Sequence, residues 1–134
     1  MDALHLHNDI NEVPLLAEWC DLIGEETGLA MDKVFQLNLA MEEAVVNVMN
    51  YAYPGQEGMP ILVTATDNGD TITLVIDDEG LEFDPTQAED PDLTLSAEER
   101  PIGGLGIMLV RQFMSDVNYK RIDGHNVLTL VMKK

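Results

Sequence analysis

Residues 32–50 have the sequence DKVFQLNLAMEEAVVNVMN, in which apolar side chains recur at the spacing of an α-helix. The positions that share one face are Val34, Leu37, Met41, Ala44, Val45 and Val48. Asp32 is a candidate N-cap, and Pro54 and Gly55 end the pattern. The segment therefore predicts a long helix with one buried face.

A polar stripe follows another side of this predicted helix and consists of Gln36, Glu43, Asn47 and Asn50. Such a stripe is most often a solvated face, but this one holds amides and a carboxylate instead of Lys and Glu. Glu43 can accept a proton from an attacking hydroxyl, and the Asn47 amide one turn later can ligate Mg²⁺. Glu42 lies about 100° around the helix, so we expect it to face elsewhere.

Shorter elements are predicted on both sides of this helix. They are an opening strand around Leu4 and Leu6, a helix over 11–27, a hairpin of strands 61–66 and 71–76, a helix around Val110, and a hairpin of strands 117–121 and 127–132. This order predicts an α+β fold, a two-layer α/β sandwich whose mixed, mostly antiparallel sheet carries the helices on one face.

A second candidate site follows the strand 71–76, where the sequence is Asp78-Glu-Gly80-Leu-Glu-Phe83-Asp-Pro85. A carboxylate at a strand end can accept a hydrogen bond from an exocyclic amine, and a glycine lets a flat ring approach the backbone. An ordinary turn after a strand would have a similar sequence. Taken alone, the segment favours that simpler interpretation.

A third candidate site is the glycine-rich segment Gly103-Gly104-Leu105-Gly106, which opens the predicted third helix. Free N–H groups and the positive end of the helix dipole attract phosphate at such a position without the help of lysine. Tight turns also need glycine, and no Gly-Lys-Ser or Gly-Lys-Thr follows, so the segment is not a P-loop.

The composition limits what the chain can bind. Its 134 residues suit a single domain over 1–134, and 25 acidic against 7 basic residues give a formal net charge of −18. This charge disfavours nucleic acids and anionic membranes, and an anionic ligand would need a metal ion and backbone donors. We expect a cytoplasmic protein, because the start resembles no signal peptide and Cys20 is a lone thiol suited to burial.

Taken in order, the three segments resemble the motifs of the histidine-kinase-like ATPase superfamily, whose nucleotide site is of the Bergerat type. Residues 43–53 are similar to its asparagine box, residues 78–85 to its first glycine box and residues 104–117 to its second. Within the superfamily the chain most resembles the anti-sigma-factor serine kinases. The similarity spans nearly the whole chain.

The resemblance implies specific roles for residues of this chain. Glu43 would be the general base, Asn47 the Mg²⁺ ligand, and Asp78 the acceptor for the adenine amino group, with Gly80 beneath the base. The glycines at 104 and 106 would contact phosphate behind an ATP lid at about 85–103. The further nucleotide contacts that it implies are Asn50, Phe83, Arg100, Gly103 and Leu105.

The function that this resemblance implies is a Mg²⁺-ATP-dependent serine kinase. It would bind and phosphorylate an anti-anti-sigma partner of the STAS type and thereby regulate a sigma factor, and it could form a homodimer. A non-catalytic, ATP-dependent anti-sigma binding module remains the alternative. A histidine-kinase fragment is disfavoured because no dimerisation helix or phosphoacceptor histidine precedes the domain. An acidic α/β domain without a ligand is also disfavoured, because three motifs recur in the right order.

Overall fold

A computed structural model describes residues 3–87 and 104–134 of the chain. Its strands are β1 (Ala3–His7), β2 (Pro60–Asp67), β3 (Thr71–Asp78), β4 (Asp116–Ile122) and β5 (His125–Lys133). Its helices are α1 (Val13–Thr27), α2 (Met31–Tyr51) and α3 (Gly104–Phe113), with single 3₁₀ turns at Ile10–Glu12 and Pro85–Gln87. All the predicted elements are present, and their bounds differ from the prediction by a few residues.

The five strands form one sheet in the order β1-β2-β3-β5-β4. The prediction of a mostly antiparallel sheet is confirmed, but its mixed character is corrected, because all four pairings of the described strands are antiparallel. Two of these pairings are hairpins, and a short connection can join only antiparallel neighbours. In the second hairpin, Asp123 (φ 49°) and Gly124 (φ 84°) adopt the left-handed conformation that a tight two-residue turn requires.

One face of the sheet is buried beneath the helices. The alternation is regular: Ile72, Leu74 and Ile76 of β3 are at most 1% exposed, whereas the residues between them are half-buried. Their partners on β5 are Met132, Leu130 and Leu128, which point the same way. The buried residues of this face and of the helices form one hydrophobic cluster, so the predicted two-layer arrangement is confirmed.

Helix α2 buries the face that its periodicity predicted. Leu37, Met41 and Val45 are fully buried, and α2 packs against both α1 and α3. The predicted N-cap is wrong, because Ala30 in extended conformation is the cap and Asp32 lies inside the first turn. A carboxylate in the first turn still interacts favourably with the positive end of the helix dipole, so Asp32 does mark the start of the helix.

Gly28 follows the last residue of helix α1 and caps it. Its φ of 74° is left-handed, as the predicted glycine stop requires. Cys20 of this helix is buried, and burial raises the pKa of its thiol to about 12. The prediction of a buried thiol is confirmed, and such a thiol is unreactive because the thiolate is the nucleophilic form. None of the helices within 3–87 and 104–134 combines the length and the apolarity needed to cross a bilayer.

The contact between α1 and α2 depends on Gly24. A Cβ atom at this position would lie 2.6 Å from Val34 Cγ2, closer than carbon atoms can approach. We expect Gly24→Ala to lower the free energy of unfolding by about 1–2 kcal/mol, because overpacking outweighs the gain in helix propensity. Urea denaturation measures this change.

Val34→Ala provides the matched background for this prediction. With the Val34 methyl groups removed, the Cβ at position 24 has room, and Gly24→Ala should then stabilise the protein by up to about 1 kcal/mol. An equal loss in both backgrounds would contradict the proposed clash, since the double-mutant cycle isolates the pairwise term.

Candidate functional site

The members of the polar stripe on α2 differ in burial. Asn47 is 4% exposed, Glu43 and Gln36 are half-buried, and Asn50 is exposed. Glu43 and Asn47 are separated by about 40° around the helix axis, so they do share a side. Burial of an amide inside an apolar layer is costly without a partner, which makes Asn47 the most unusual member of the stripe.

Asn50 is not brought to the end of β3 where Asp78 lies. It lines a cavity of about 750 Å³ together with residues of the first strand and turn, among them His7, Asp9 and Glu12. This cavity lies beside β1, which is separated from β3 by β2. Asn50 is rotated about 60° from Asn47 around the helix axis, so the two amides point in different directions. Its role as a nucleotide contact stays a prediction.

Glu43 has an environment suited to a general base. Burial, and to a lesser degree the neighbouring Glu42 carboxylate, raise the pKa of Glu43 above its usual value. A carboxylate with a raised pKa is a stronger base while it is still ionised at neutral pH. Glu42 is exposed and lies beside Pro14 and Ala17 of α1, so the expectation that the two carboxylates face different directions is confirmed.

Asp78 lies at the end of β3 and is 2% exposed. Its Oδ1 accepts hydrogen bonds from Gly80 N at 2.9 Å and from Asn126 Nδ2 at 2.8 Å. Its Oδ2 receives no hydrogen bond from the described residues, and no buried side-chain oxygen or nitrogen among them lacks a partner. Because Oδ2 has no such partner, it is not one of the buried atoms. It is therefore the atom of this carboxylate that remains accessible to a ligand.

Burial dominates the ionisation of Asp78. Desolvation raises the pKa of its carboxyl group, and the hydrogen bonds from Asn126 and Gly80 oppose that increase without cancelling it. A nearly buried carboxylate with one accessible oxygen is suited to accepting a hydrogen bond from a neutral donor such as an exocyclic amine. The geometry fits the predicted chemistry of this residue.

Gly80 is required by the packing of the protein itself. A Cβ atom there would lie 2.2 Å from the carbonyl oxygen of Ala52, just beyond the last residue of α2. The same carbonyl accepts a hydrogen bond from Leu81 N at 2.8 Å. The role predicted for Gly80 from the sequence was to let a flat ring approach the backbone. That role stays a prediction, in addition to the contact with Ala52.

Tyr53 makes a second connection between α2 and the loop after β3. Its hydroxyl donates to the Pro60 carbonyl at 2.6 Å and accepts from Glu79 N at 2.7 Å. Burial is the main cause of its raised pKa. The sequence analysis did not assign this role, although a tyrosine hydroxyl in an apolar segment needs such partners.

Phe83 lies against the end of α2. Its ring centroid is 5.5 Å from that of Tyr51, with 36° between the ring planes. Tyr51 is four residues after Asn47 and therefore shares its side of the helix. Phe83, predicted as a nucleotide contact, is thus placed on the Asn47 side of α2, and Leu81 N joins the same loop to the helix end.

Three side chains of the β4-β5 hairpin complete this region, and none of them is among the predicted site residues. Asn126 binds Asp78, Tyr119 binds Asn126, and Arg121 donates to the Gly80 carbonyl. The signal that could have identified them is an asparagine in an otherwise apolar alternation, because Asn126 takes an inward position on β5.

The predicted phosphate site is described only in part. Helix α3 begins at Gly104, within the glycine-rich segment, and it packs against α2. The predicted helix start is therefore confirmed. Gly103 and Arg100 lie outside the described residues, as does most of the predicted lid at 85–103. Phosphate contacts from Gly104, Leu105 and Gly106 stay predictions.

The buried amide of Asn47 fits a magnesium ion that binds together with a nucleotide. Within the part of the chain that the structure describes, no three His, Cys, Asp or Glu side chains are grouped as a metal site. Magnesium commonly takes only one or two protein ligands and completes its shell with water and substrate phosphates. Asn47 would be such a ligand on α2.

Known proteins resemble this chain in sequence. The family model described as histidine kinase-like ATPase domain matches residues 6–132. Serine/threonine-protein kinase BtrW of Bordetella bronchiseptica is 38% identical over 96 residues, which cover 72% of this chain and 68% of BtrW. Serine-protein kinase RsbW of Bacillus cereus is 26% identical over 128 residues, covering 87% of this chain and 79% of RsbW.

A solved structure has the same fold. The crystal structure of the RsbU and RsbW domains of Rv1364c from Mycobacterium tuberculosis matches with a TM-score of 0.67 at 15% identity. The match covers 99% of this chain and 32% of the solved one, so the present chain spans about a third of that protein's length. The predicted fold class is confirmed by this likeness.

Asp78→Asn separates the binding role of this residue from its structural role. The amide oxygen can still accept from Gly80 and Asn126, but an NH₂ group replaces the accessible oxygen. Because the folded pKa of Asp78 is raised, its ionisation lowers the stability of the parent as pH rises from the ordinary carboxyl range through the raised value. The variant lacks this loss, so its stability relative to the parent should increase over that pH interval.

The thermal shift caused by Mg²⁺-ATP measures the binding role of the same variant. We expect Asp78→Asn to weaken nucleotide binding about tenfold or more, because an amine would face an NH₂ group. The matched control is Asp70→Asn, at an exposed turn position. A full thermal shift in Asp78→Asn would contradict the role given to Oδ2.

Proposed function

The chain belongs to the histidine kinase-like ATPase domain family, and from this premise we propose that it is a Mg²⁺-ATP-dependent serine protein kinase. We propose further that it phosphorylates an anti-anti-sigma partner of the STAS type and thereby regulates a sigma factor. Its relatives are named as a serine/threonine-protein kinase and a serine-protein kinase, which supports this kind of reaction.

The observation that carries the proposal is the connection between two separately predicted sites. Glu43 and Asn47 lie one turn apart on α2, and the end of α2 is joined to the Asp78 loop through Ala52 and Tyr53. The proposed general base, the proposed metal ligand and the carboxylate proposed to recognise the adenine are therefore held by one rigid unit. Phosphoryl transfer depends mainly on positioning and charge stabilisation, which such a unit supplies.

Each residue has a defined part in the proposed reaction. Mg²⁺-ATP supplies the transferred γ-phosphoryl group. Glu43 accepts the proton of the serine hydroxyl. At the same time the serine oxygen forms a bond to the γ-phosphorus, and the bond between that phosphorus and the ADP oxygen breaks. The Asn47 amide oxygen holds the metal ion, and Asp78 Oδ2 orients the nucleotide by accepting a hydrogen bond from its amino group.

The charge of the protein is consistent with this proposal. A net charge of −18 repels a free nucleotide, and a magnesium ion offsets part of that repulsion when it binds together with the phosphates. The same charge disfavours nucleic acid as a partner, which supports a protein substrate. We also propose that the protein acts in the cytoplasm, where ATP is available, and that it can dimerise.

Glu43→Gln tests the catalytic part of the proposal. The glutamine side chain keeps the size of Glu43 but cannot accept the serine proton, so phosphotransfer should slow by roughly 10²–10⁴-fold. Transfer of label from γ-labelled ATP to the anti-anti-sigma protein encoded in the same genome measures this loss. Mg²⁺-ATP affinity, measured by calorimetry, should change by only a few-fold.

Glu42→Gln is the control, because this neighbouring carboxylate is exposed on another side of α2. It should transfer label at nearly the parental rate. An unchanged rate in Glu43→Gln would show that another group accepts the proton. A stable complex of the parent with its partner and no label transfer would instead support the non-catalytic, ATP-dependent binding module.

A further inference from the structure

Asn126 is a buried amide at the point where the sheet meets the candidate nucleotide site. It is 3% exposed and lies directly opposite Asp78 in the pairing of β3 with β5. Its Nδ2 donates to Asp78 Oδ1 at 2.8 Å and to the Leu81 carbonyl at 2.6 Å. Both hydrogens of the NH₂ group are therefore used, one on the carboxylate and one on the loop that follows it.

The amide oxygen of Asn126 is surrounded by donors. It accepts from the Tyr119 hydroxyl at 2.6 Å, from Arg121 Nη1 at 3.1 Å and from Phe83 N at 3.1 Å. Arg121 lies opposite Asn126 in the pairing of β4 with β5. The hairpin thus holds the amide from the side away from Asp78.

This distribution permits only one orientation of the amide. Rotation by 180° would place the NH₂ group against three donors and the oxygen against a carboxylate and a carbonyl. The rotated amide would lose several hydrogen bonds, and this loss is costly for a buried polar group. The Tyr119 and Arg121 donors therefore keep the Asn126 NH₂ directed at Asp78.

The fixed amide has a consequence for the carboxylate it contacts. Asp78 Oδ1 already accepts from Gly80 N and Asn126 Nδ2, so its lone pairs are occupied. The carboxylate cannot rotate without losing both bonds, and Oδ2 is left as its one available acceptor. Arg121 also donates to the Gly80 carbonyl at 2.8 Å, which holds the adjoining backbone in place.

We propose that Asn126 is a positioning residue that makes the site selective for a purine with an exocyclic amine. By holding Oδ1, it presents Oδ2 alone to the base, where an amine can donate and a carbonyl oxygen is repelled. Tyr119 and Arg121 support this role by fixing the amide. The inference rests on the proposed nucleotide site and adds the determinant of its base selectivity.

Asn126→Asp tests the inference with a side chain of the same shape. It keeps an oxygen for the Tyr119 and Arg121 donors but places a second oxygen, instead of NH₂, beside Asp78. Calorimetry would give the dissociation constants of Mg²⁺-ATP and of Mg²⁺-inosine triphosphate, in which a carbonyl replaces the amine. We expect the parent to prefer ATP, and the variant to lose about tenfold or more of that preference.

Asn118→Asp is the matched control, since it makes the same chemical change at an exposed position of β4. It should keep the parental ratio of the two dissociation constants. If Asn126→Asp does not fold, as judged by thermal unfolding without ligand, the double variant Tyr119→Phe/Arg121→Gln replaces it. Neither of these side chains is buried, and their loss removes two of the three donors to the amide oxygen, so a smaller decrease in preference is expected.

The outcomes distinguish this inference from the proposed function. A parent that binds neither nucleotide overturns both, whereas a parent that binds the two equally overturns the role of Asp78 and this inference but not nucleotide binding. If the folded variant binds both nucleotides more weakly by the same factor, Asn126 is only structural and the inference is wrong. Loss of preference in the variant, with the control unchanged, supports it.

Discussion

The contact between the Ala52 carbonyl and the Gly80-Leu81 backbone connects the two layers of the protein at the site. Leu81 N donates to this carbonyl at 2.8 Å, and only a residue without a Cβ atom fits at position 80. The helix layer carries Glu43 and Asn47, and the sheet layer carries Asp78. Without this close approach the two sets of side chains would belong to separate surfaces, so the geometry of the site depends on it.

The two carboxylates of the site illustrate how burial prepares side chains for different tasks. Burial is the leading cause of the raised pKa of both Glu43 and Asp78. Glu43 is half-buried with no hydrogen bond to it among the described residues, which suits the proposed role of taking up a proton. Asp78 is held by two donors at one oxygen, which suits the proposed role of presenting the other oxygen to a nucleotide. Perturbed carboxylates of this kind cluster at functional sites because the fold tolerates their cost there.

The β4-β5 hairpin extends the site beyond the segments in which the family resemblance was found. Its inward positions are apolar in the middle of the sheet, with Leu128 and Leu130 in the core, and become polar at the end next to Asp78. The change occurs where the row Ile61, Asp78, Asn126 and Arg121 crosses four strands. A sheet that ends in a polar row can place a carboxylate accurately while the rest of its face remains a hydrophobic core.

Local patterns in the sequence were sufficient for most of the fold, because helix periodicity, strand alternation and the Asp123-Gly124 turn each depend on residues a few positions apart. They also placed Glu43 and Asn47 on one side of α2. The same patterns failed for Asp32, since the cap is set by the backbone of Ala30. The contacts of Asn126 could not be predicted, because its partners Asp78, Leu81 and Phe83 are more than 40 residues away. Such contacts are created by strand register, which only the assembled tertiary structure defines.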